Sequence, residues 1–419
     1  MSRSIRLALT VAATLAFVAG IAGSANAADW PRYRGPNDDG IAETVPLEKL
    51  ALTFVWKASI GDSFGQIAVV GAKAFLMSDR AGDEYCVCLD AATGKEAWST
   101  RIDKTIKDAN GDGPRSTPAI DGKHVYVYGT YTKLFCLELE TGKPVWNHDV
   151  ISEQGGKPLK WGSASSPLVI GDLVLVTGGG PGKGILAYKK DTGELAWAKT
   201  NYSYTYATPT IATIKGTLQA ICFMANGLVS VDPTTGDVLW TFAQPVATAT
   251  CSSPVVGGKN GDVVYCSNGY NIGAAACQIS KDGQKWTAKE LWHTTRQNMS
   301  LWSTPVYRDG YIYGLFNHND NSGPLACLDI MTGTVKWSQK GFGSQGGLLL
   351  VGDKLLVQTP KGDLVLVAAS SDAYKELGRV NILTAKDWTA PTLANGMIYA
   401  RNSCVAGGVD QVTCLKLGH

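Results

Sequence analysis

The sequence predicts an all-β fold, an eight-bladed β-propeller with four antiparallel strands per blade, and three observations predict it. A strand-rich unit recurs along the chain at spacings that average in the forties. Most units close on a Thr-Gly turn and a strand that ends in Trp. The last unit lacks this closing strand, and the N-terminal part of the chain carries one without partners. Seven blades is the alternative count, because the unit from Gly346 to Leu377 has no Trp.

At the N-terminus, Arg3 and Arg6 precede an apolar run from Leu7 to Ile21, and Ala25-Asn26-Ala27 is a small-x-small cleavage site. This pattern marks residues 1–27 as a secretory signal peptide and leaves residues 28–419 as a single propeller domain. No Cys follows the cleavage site, so no lipid anchor is expected, and no later apolar run has membrane length. The expected location is the periplasm or the cell exterior and surface. Cleavage removes two arginines and no acid, so the formal charge falls from +2 to 0. A neutral chain without basic runs argues against nucleic acid or acidic lipid as the main partner.

The first strand of the mature chain, Phe54-Val55-Trp56-Lys57, is assigned as the outer strand of the last blade. The units then open on STPAI (from Ser116), SSPLV (Ser165), ATPTI (Ala207), SSPVV (Ser252), STPVY (Ser303) and TAPTL (Thr389). Pro is tolerated there because the start of a strand needs no ladder donor. They close at Trp98, Trp146, Trp197, Trp240, Trp292 and Trp337. Gly94, Gly142, Gly193, Gly236 and Gly333 supply positive φ to the turn before the closing strand.

Ten cysteines form no C-x-x-C pair, so neither a zinc site nor a thioredoxin-like motif is indicated. Cys88, Cys136, Cys327 and Cys414 all precede Leu at one repeat position and read as small core residues. Export makes bridges Cys404–Cys414 and Cys251–Cys266 candidates.

Several chemical motifs read as structure. Gly61-Asp62-Ser63-Phe64-Gly65 matches a nucleophile elbow in letters, but it joins two strands where an elbow needs a following helix. The glycine run Gly178–Gly184 lacks the Lys-Ser/Thr and the helix of a phosphate loop, and reads as a hairpin. Asp108, Asn110 and Asp112 resemble the first half of a calcium loop, but Ala119 stands where the bidentate Glu belongs, so they are weak metal candidates. Of five histidines, His318 in a polar loop is the ligand candidate.

Positions that differ between equivalent blades are free to serve a ligand. The residue three before each opening Pro reads, around the ring, Gly65, Arg115, Ala164, Tyr206, Cys251, Trp302, Gly346 and Trp388, with the first and seventh aligned approximately. This position leads into the innermost strand, near the mouth of the central channel. Arg115, Tyr206, Trp302 and Trp388, with Trp161, Tyr204 and Asn298 beside them, Asn317 and Arg401 from second strands and His318 from its polar loop, form the candidate mouth. Aromatic faces beside a guanidinium suit a flat polar ligand or a sugar.

The repeated LxxxTGxxxW units resemble the pyrroloquinoline-quinone (PQQ)-like propeller repeats, over essentially all of Trp30 to Leu417. That group includes quinoprotein alcohol dehydrogenases and the propeller subunit of the bacterial outer-membrane assembly machine. The resemblance implies that Trp56, Trp98, Trp146, Trp197, Trp240, Trp292 and Trp337 dock neighbouring blades. The run DWPRYRGPNDDG is also similar to exported propellers of uncertain function. Quinoprotein dehydrogenases carry an adjacent Cys pair against the cofactor ring, and no two cysteines are adjacent here. The assembly subunit is a lipoprotein, and the lipid-bearing Cys is absent. The expectation is therefore a non-catalytic binding or scaffold protein of the envelope with a protein, peptide or glycan partner. The alternatives are a PQQ-dependent alcohol dehydrogenase-like oxidoreductase, with PQQ and calcium at the mouth, and a carbohydrate-active enzyme using carboxylates such as Asp62, Asp112 and Asp387.

Overall fold

The computed structural model describes residues 28–317, 323–384, 386–403 and 411–418. The signal-peptide expectation, His318 and Cys404 lie outside them. Among the described residues eight sheets form, each with four antiparallel blade strands, in sequence order from the channel outward in seven of them, so the count is eight and not seven. Among the described residues the only helix is one turn, Val150–Gln154, capped by the Asp149 side chain.

The eighth blade is built from both chain ends. Thr392–Ala394, Met397–Arg401 and Val412–Leu417 supply three strands, and Leu52–Ala58 adds the fourth in antiparallel register, with Trp56 opposite Cys414. This leaves no open blade at the junction of the termini.

The indole N–H of Trp56 donates to the Ala91 carbonyl of blade 1, that of Trp98 to Leu139, that of Trp146 to Lys190, that of Trp197 to Pro233 and that of Trp292 to Ile330, each acceptor lying in the next blade. Each of these rings lies on the turn glycine of that blade. A Cβ on Gly142, for example, would stand 2.4 Å from the Trp98 ring, and φ there is +70°. The glycine is thus required twice, by backbone conformation and by close approach. Small residues face the tryptophans across the sheet: Cys88 pairs with Trp98, Cys136 with Trp146 and Cys327 with Trp337. These cysteines are fully buried and free. The candidate bridge Cys251–Cys266 is not formed: both thiols are free, with Cys266 buried in the second strand of blade 5.

Two blades depart from the rule. Blade 5 closes with a long hairpin, Gly273–Asp282 and Lys285–Thr294, and has no Thr-Gly turn at the usual place. Trp240 accordingly donates to Gln219 of its own blade. Blade 7 has all four strands, but Gly378 stands opposite Leu366 where the other blades place Trp. The turn that a Trp there would dock on does not exist, because the third and fourth strands of blade 8 come from opposite chain ends. Leu50 fills that space, and a Cβ on Gly378 would lie 3.0 Å from it.

A second N-terminal device lies inside the ring. Residues 28–42 cross one end of the channel as a strap. Trp30 exchanges two backbone hydrogen bonds with Val69 of blade 1, and Ile120 of blade 2 donates to the Pro31 carbonyl. Arg32 donates to Val169 of blade 3, and Asn395 of blade 8 to the Ala28 carbonyl. Ile41–Ala42 then adds a fifth strand, parallel to the innermost strand of blade 7. Arg34 anchors the middle: its guanidinium donates to the carbonyls of Asp38, Asp39, Thr304 and Pro305, the last two in blade 6. Every carbonyl named would lose a charge-assisted bond if Arg34 were removed. The strap turns a tunnel into a cup.

Candidate functional site

The cup is a cavity of about 520 Å³ with the strap as its floor, where Trp30, Tyr33, Arg34 and Gly40 face inward. Its wall begins with a belt of polar residues just before each inner strand. The N–H of Gln66 donates to the Thr117 hydroxyl, Thr117 to Ser166, Ser166 to Thr208 and Ser253 to Thr304. This is why Ser or Thr precedes Pro in the repeat: its hydroxyl satisfies a buried donor of the preceding blade, where the inner strand has no ladder partner on the channel side. The belt changes between blades 7 and 8, where Gly347 and Ala390 meet backbone to backbone; a Cβ on Gly347 would be 2.3 Å from the Ala390 Cα.

Above the belt stands the ring of positions that differ between blades. Arg115, Ala164, Tyr206, Cys251, Trp302 and Trp388 all line the cavity, joined by Trp161. The first and seventh members need a shift of one residue. The inner strands start at Ala68 in blade 1 and the pairing of Leu349 with Leu356 sets the register in blade 7. Phe64 and Gln345 therefore occupy the positions assigned to Gly65 and Gly346, and both line the cavity. Neither blade has the Pro that anchors the alignment elsewhere.

The remaining candidates lie elsewhere. Tyr204 is buried and donates to the Lys157 carbonyl. Asn298 donates to Gly333, behind the wall. Arg401 is 1% exposed and donates to the carbonyls of Met77 and Gly61, tying blade 8 to blade 1. Asn317 is exposed, with φ at +60°, and is not part of the lining.

The rim carries two cations against aromatic faces. The Arg115 guanidinium lies 5.2 Å from the Phe64 ring and donates to the carbonyls of Gly111 and Gly113. The Lys386 ammonium lies 3.7 Å from the Trp388 ring and donates to Asn110. Burial lowers the pKa of both, opposed chiefly by Asp108. The rings form two groups: Trp161 with Tyr206, centroids 5.9 Å apart, and Trp302 with Trp388, 5.4 Å apart, with Phe64 at 5.8 Å from Trp388. Sequence reasoning missed Lys386, whose only signal was its place two residues before Trp388.

The chemical motifs resolve as structure. The Ser63 hydroxyl is buried and donates to the Pro114 carbonyl, with no helix following. Asp112 pairs with Lys107 at 2.7 Å and accepts the Asp108 N–H, while Asp108 accepts the Asn110 N–H. The calcium-like loop thus spends these oxygens on its own backbone and on a lysine. Among the described residues no group of three His, Cys, Asp or Glu stands close enough to hold a metal. Asp108 is the single carboxylate of the cavity lining, and Asp62, Asp112 and Asp387 are not part of it. A calcium-held quinone does not fit this donor set. Cys251 is solitary, and burial pushes its thiol up to about 12.

A profile of the PQQ_2 family, described as outer membrane protein assembly factor BamB, matches residues 82–339. Among curated relatives, quinohemoprotein alcohol dehydrogenase ADH IIB of Pseudomonas putida is 32% identical over 121 residues, 26% of this chain. The match spans only 16% of that dehydrogenase. Outer membrane protein assembly factor BamB of Moranella endobia is 24% identical over 366 residues, 83% of this chain and 77% of the relative. Among solved structures, BamB from Moraxella catarrhalis superposes with a TM-score of 0.60 at 18% identity, covering 88% of this chain and 98% of that one. Quinohemoprotein alcohol dehydrogenase from Comamonas testosteroni gives 0.68 at 15% identity, covering 94% and 81%. These structural likenesses concern the fold. With the profile covering more than half of its length, this chain belongs to the PQQ_2 family, described as outer membrane protein assembly factor BamB.

Proposed function

We propose that this protein is a non-catalytic binding or scaffold propeller of the bacterial envelope, exported by its signal peptide, with a protein, peptide or glycan partner. One observation carries the reading: the eight blade-specific positions converge on one closed-bottomed cup whose lining holds a single carboxylate, Asp108. Glycoside hydrolysis needs two carboxylates across a cleft. Nucleophilic catalysis needs a nucleophile beside a base. The lining offers recognition surface instead, and its volume falls within the roughly 300–1,000 Å³ of small-ligand sites. The family and its assembly-factor relatives support an envelope role with protein partners.

The test is a calorimetric titration of the signal-free protein with PQQ, with and without Ca²⁺, beside a dye-linked alcohol oxidation assay. No turnover is expected. Saturable quinone binding with turnover would overturn the proposal in favour of a quinoprotein.

A further inference from the structure

The cup's lining has a chemistry that narrows its ligand. Phe64, Trp161, Trp302 and Trp388 come from different parts of the ring, and all four are only partly buried and line the cavity. Their mutual angles of 39° to 48° show that the rings are tilted rather than stacked on one another, and Lys386 and Arg115 lie over one face of Trp388 and of Phe64. Aromatic faces take the C–H surface of a sugar ring or a flat heterocycle equally well.

Charge decides between these. The rim cations Arg115 and Lys386 are faced by Asp108 and, further out, by Asp62, Asp112 and Glu84. Lys107 is already paired with Asp112. The rim therefore has no large positive excess with which to hold a polyanion such as a quinone tricarboxylate or an acidic polysaccharide. It does set charged donors beside the charged acceptor Asp108 and the amides of Asn110 and Gln345. Alternating donors and acceptors suit hydroxyl groups, each of which both gives and takes a hydrogen bond.

An extended peptide is less well served. It would need free strand edges at the inner wall. Val69 is paired with Trp30, Leu350 and Val351 with the strap strand, and the hydroxyl belt takes the N–H groups of Gln66, Thr117, Ser166 and Ser253. The floor also blocks passage of a chain through the ring.

We propose that the cup binds the end of a neutral saccharide chain, with sugar faces on Trp302–Trp388 and Trp161–Tyr206 and hydroxyls between Arg115, Asp108 and Asn110. This rests on the reading of the cup as a binding site. The experiment is a titration of the signal-free protein with cellohexaose, maltohexaose, laminarihexaose, xylohexaose and chitohexaose, followed by calorimetry and tryptophan fluorescence. Polygalacturonate, an acidic peptide and PQQ serve as comparators. At least one neutral hexasaccharide is expected to bind saturably. W302A and W388A are each expected to weaken it about tenfold, while W286F, on the outer strand of blade 5, leaves it unchanged. Oxidation of tryptophans by N-bromosuccinimide, mapped by mass spectrometry, checks the same point without a variant: the bound sugar should protect Trp161, Trp302 and Trp388. Failure of all five sugars up to about 10 mM, tighter binding of any comparator, or binding without protection at these three residues would overturn the saccharide assignment. Only quinone turnover would also overturn the binding function itself.

Discussion

Asp387 is fully buried, and among the described residues neither of its carboxylate oxygens has a hydrogen-bond partner. Burial, reinforced by Asp363, raises its pKa from 3.8 to about 9. The folded protein therefore holds a proton at neutral pH that the unfolded chain releases near 4. The stability linked to this group is whole below about pH 4 and is lost as the pH rises towards about 9. Asp387→Asn keeps the shape and removes the titration. Its thermal midpoint is expected to exceed that of the parent by about 2 °C or more at pH 8, with the gap closing towards pH 4. Scanning fluorimetry at both values tests this, and midpoints that run parallel with pH would refute it. At this scale the sequence was readable where the repeat supplied a ruler. Arg115, Tyr206, Trp302 and Trp388 sit at one offset from Pro and all reach the cup. Phe64 and Gln345 were misplaced by one residue because their blades lack that Pro. Arg401 was not readable at all, because its acceptor at Met77 lies 324 residues away.

Within each blade, most hairpin turns and docking tryptophans follow from local letters. The Asp of the Leu-Asp strand accepts the turn's own N–H groups, as Asp90 does from Ala92 and Thr93 and Asp329 from Met331 and Thr332. Thr-Gly then supplies the left-handed residue. These are short-range requirements, so sequence alone displays them. The weak seventh unit looked like a failing repeat, yet Gly378, which stands where the other blades carry Trp, is the residue that fits. Gly378→Trp restores the repeat pattern but drives an indole into space held by Leu50. The substitution is expected to destabilise by about 1–3 kcal/mol, seen as a lower thermal midpoint, even though it makes the blade more like its neighbours. A rise in midpoint would mean that the N-terminal segment yields to the ring. The strap itself was visible only as the letters DWPRYRGPNDDG. Its role depends on carbonyls and N–H groups of six blades, which no local pattern announces.

On the scale of the whole molecule, the ring is held shut by Leu52–Ala58 pairing with Val412–Leu417. Deleting residues 28–58 removes both this strand and the floor. The bared edge of Val412–Leu417 is then a template for another chain, so the truncated protein is expected to associate, read as a rise in mass by light scattering. A truncated protein that stays monomeric would show that the other strands close the ring unaided. The same closure has a temporal side. The hydroxyl of Thr413 reaches the Trp56 carbonyl across 357 residues of chain. Such distant partners make folding slow, because the entropy of loop closure precedes any reward. The segment that is synthesised first is therefore the last to find its place: the strap needs inner strands from six blades, and the closing strand needs the end of the chain. Until the far end of the chain has been made, the earliest-made residues must wait unpaired. The interval between the appearance of residue 28 and that of residue 417 is the time during which this protein most depends on being kept from other chains.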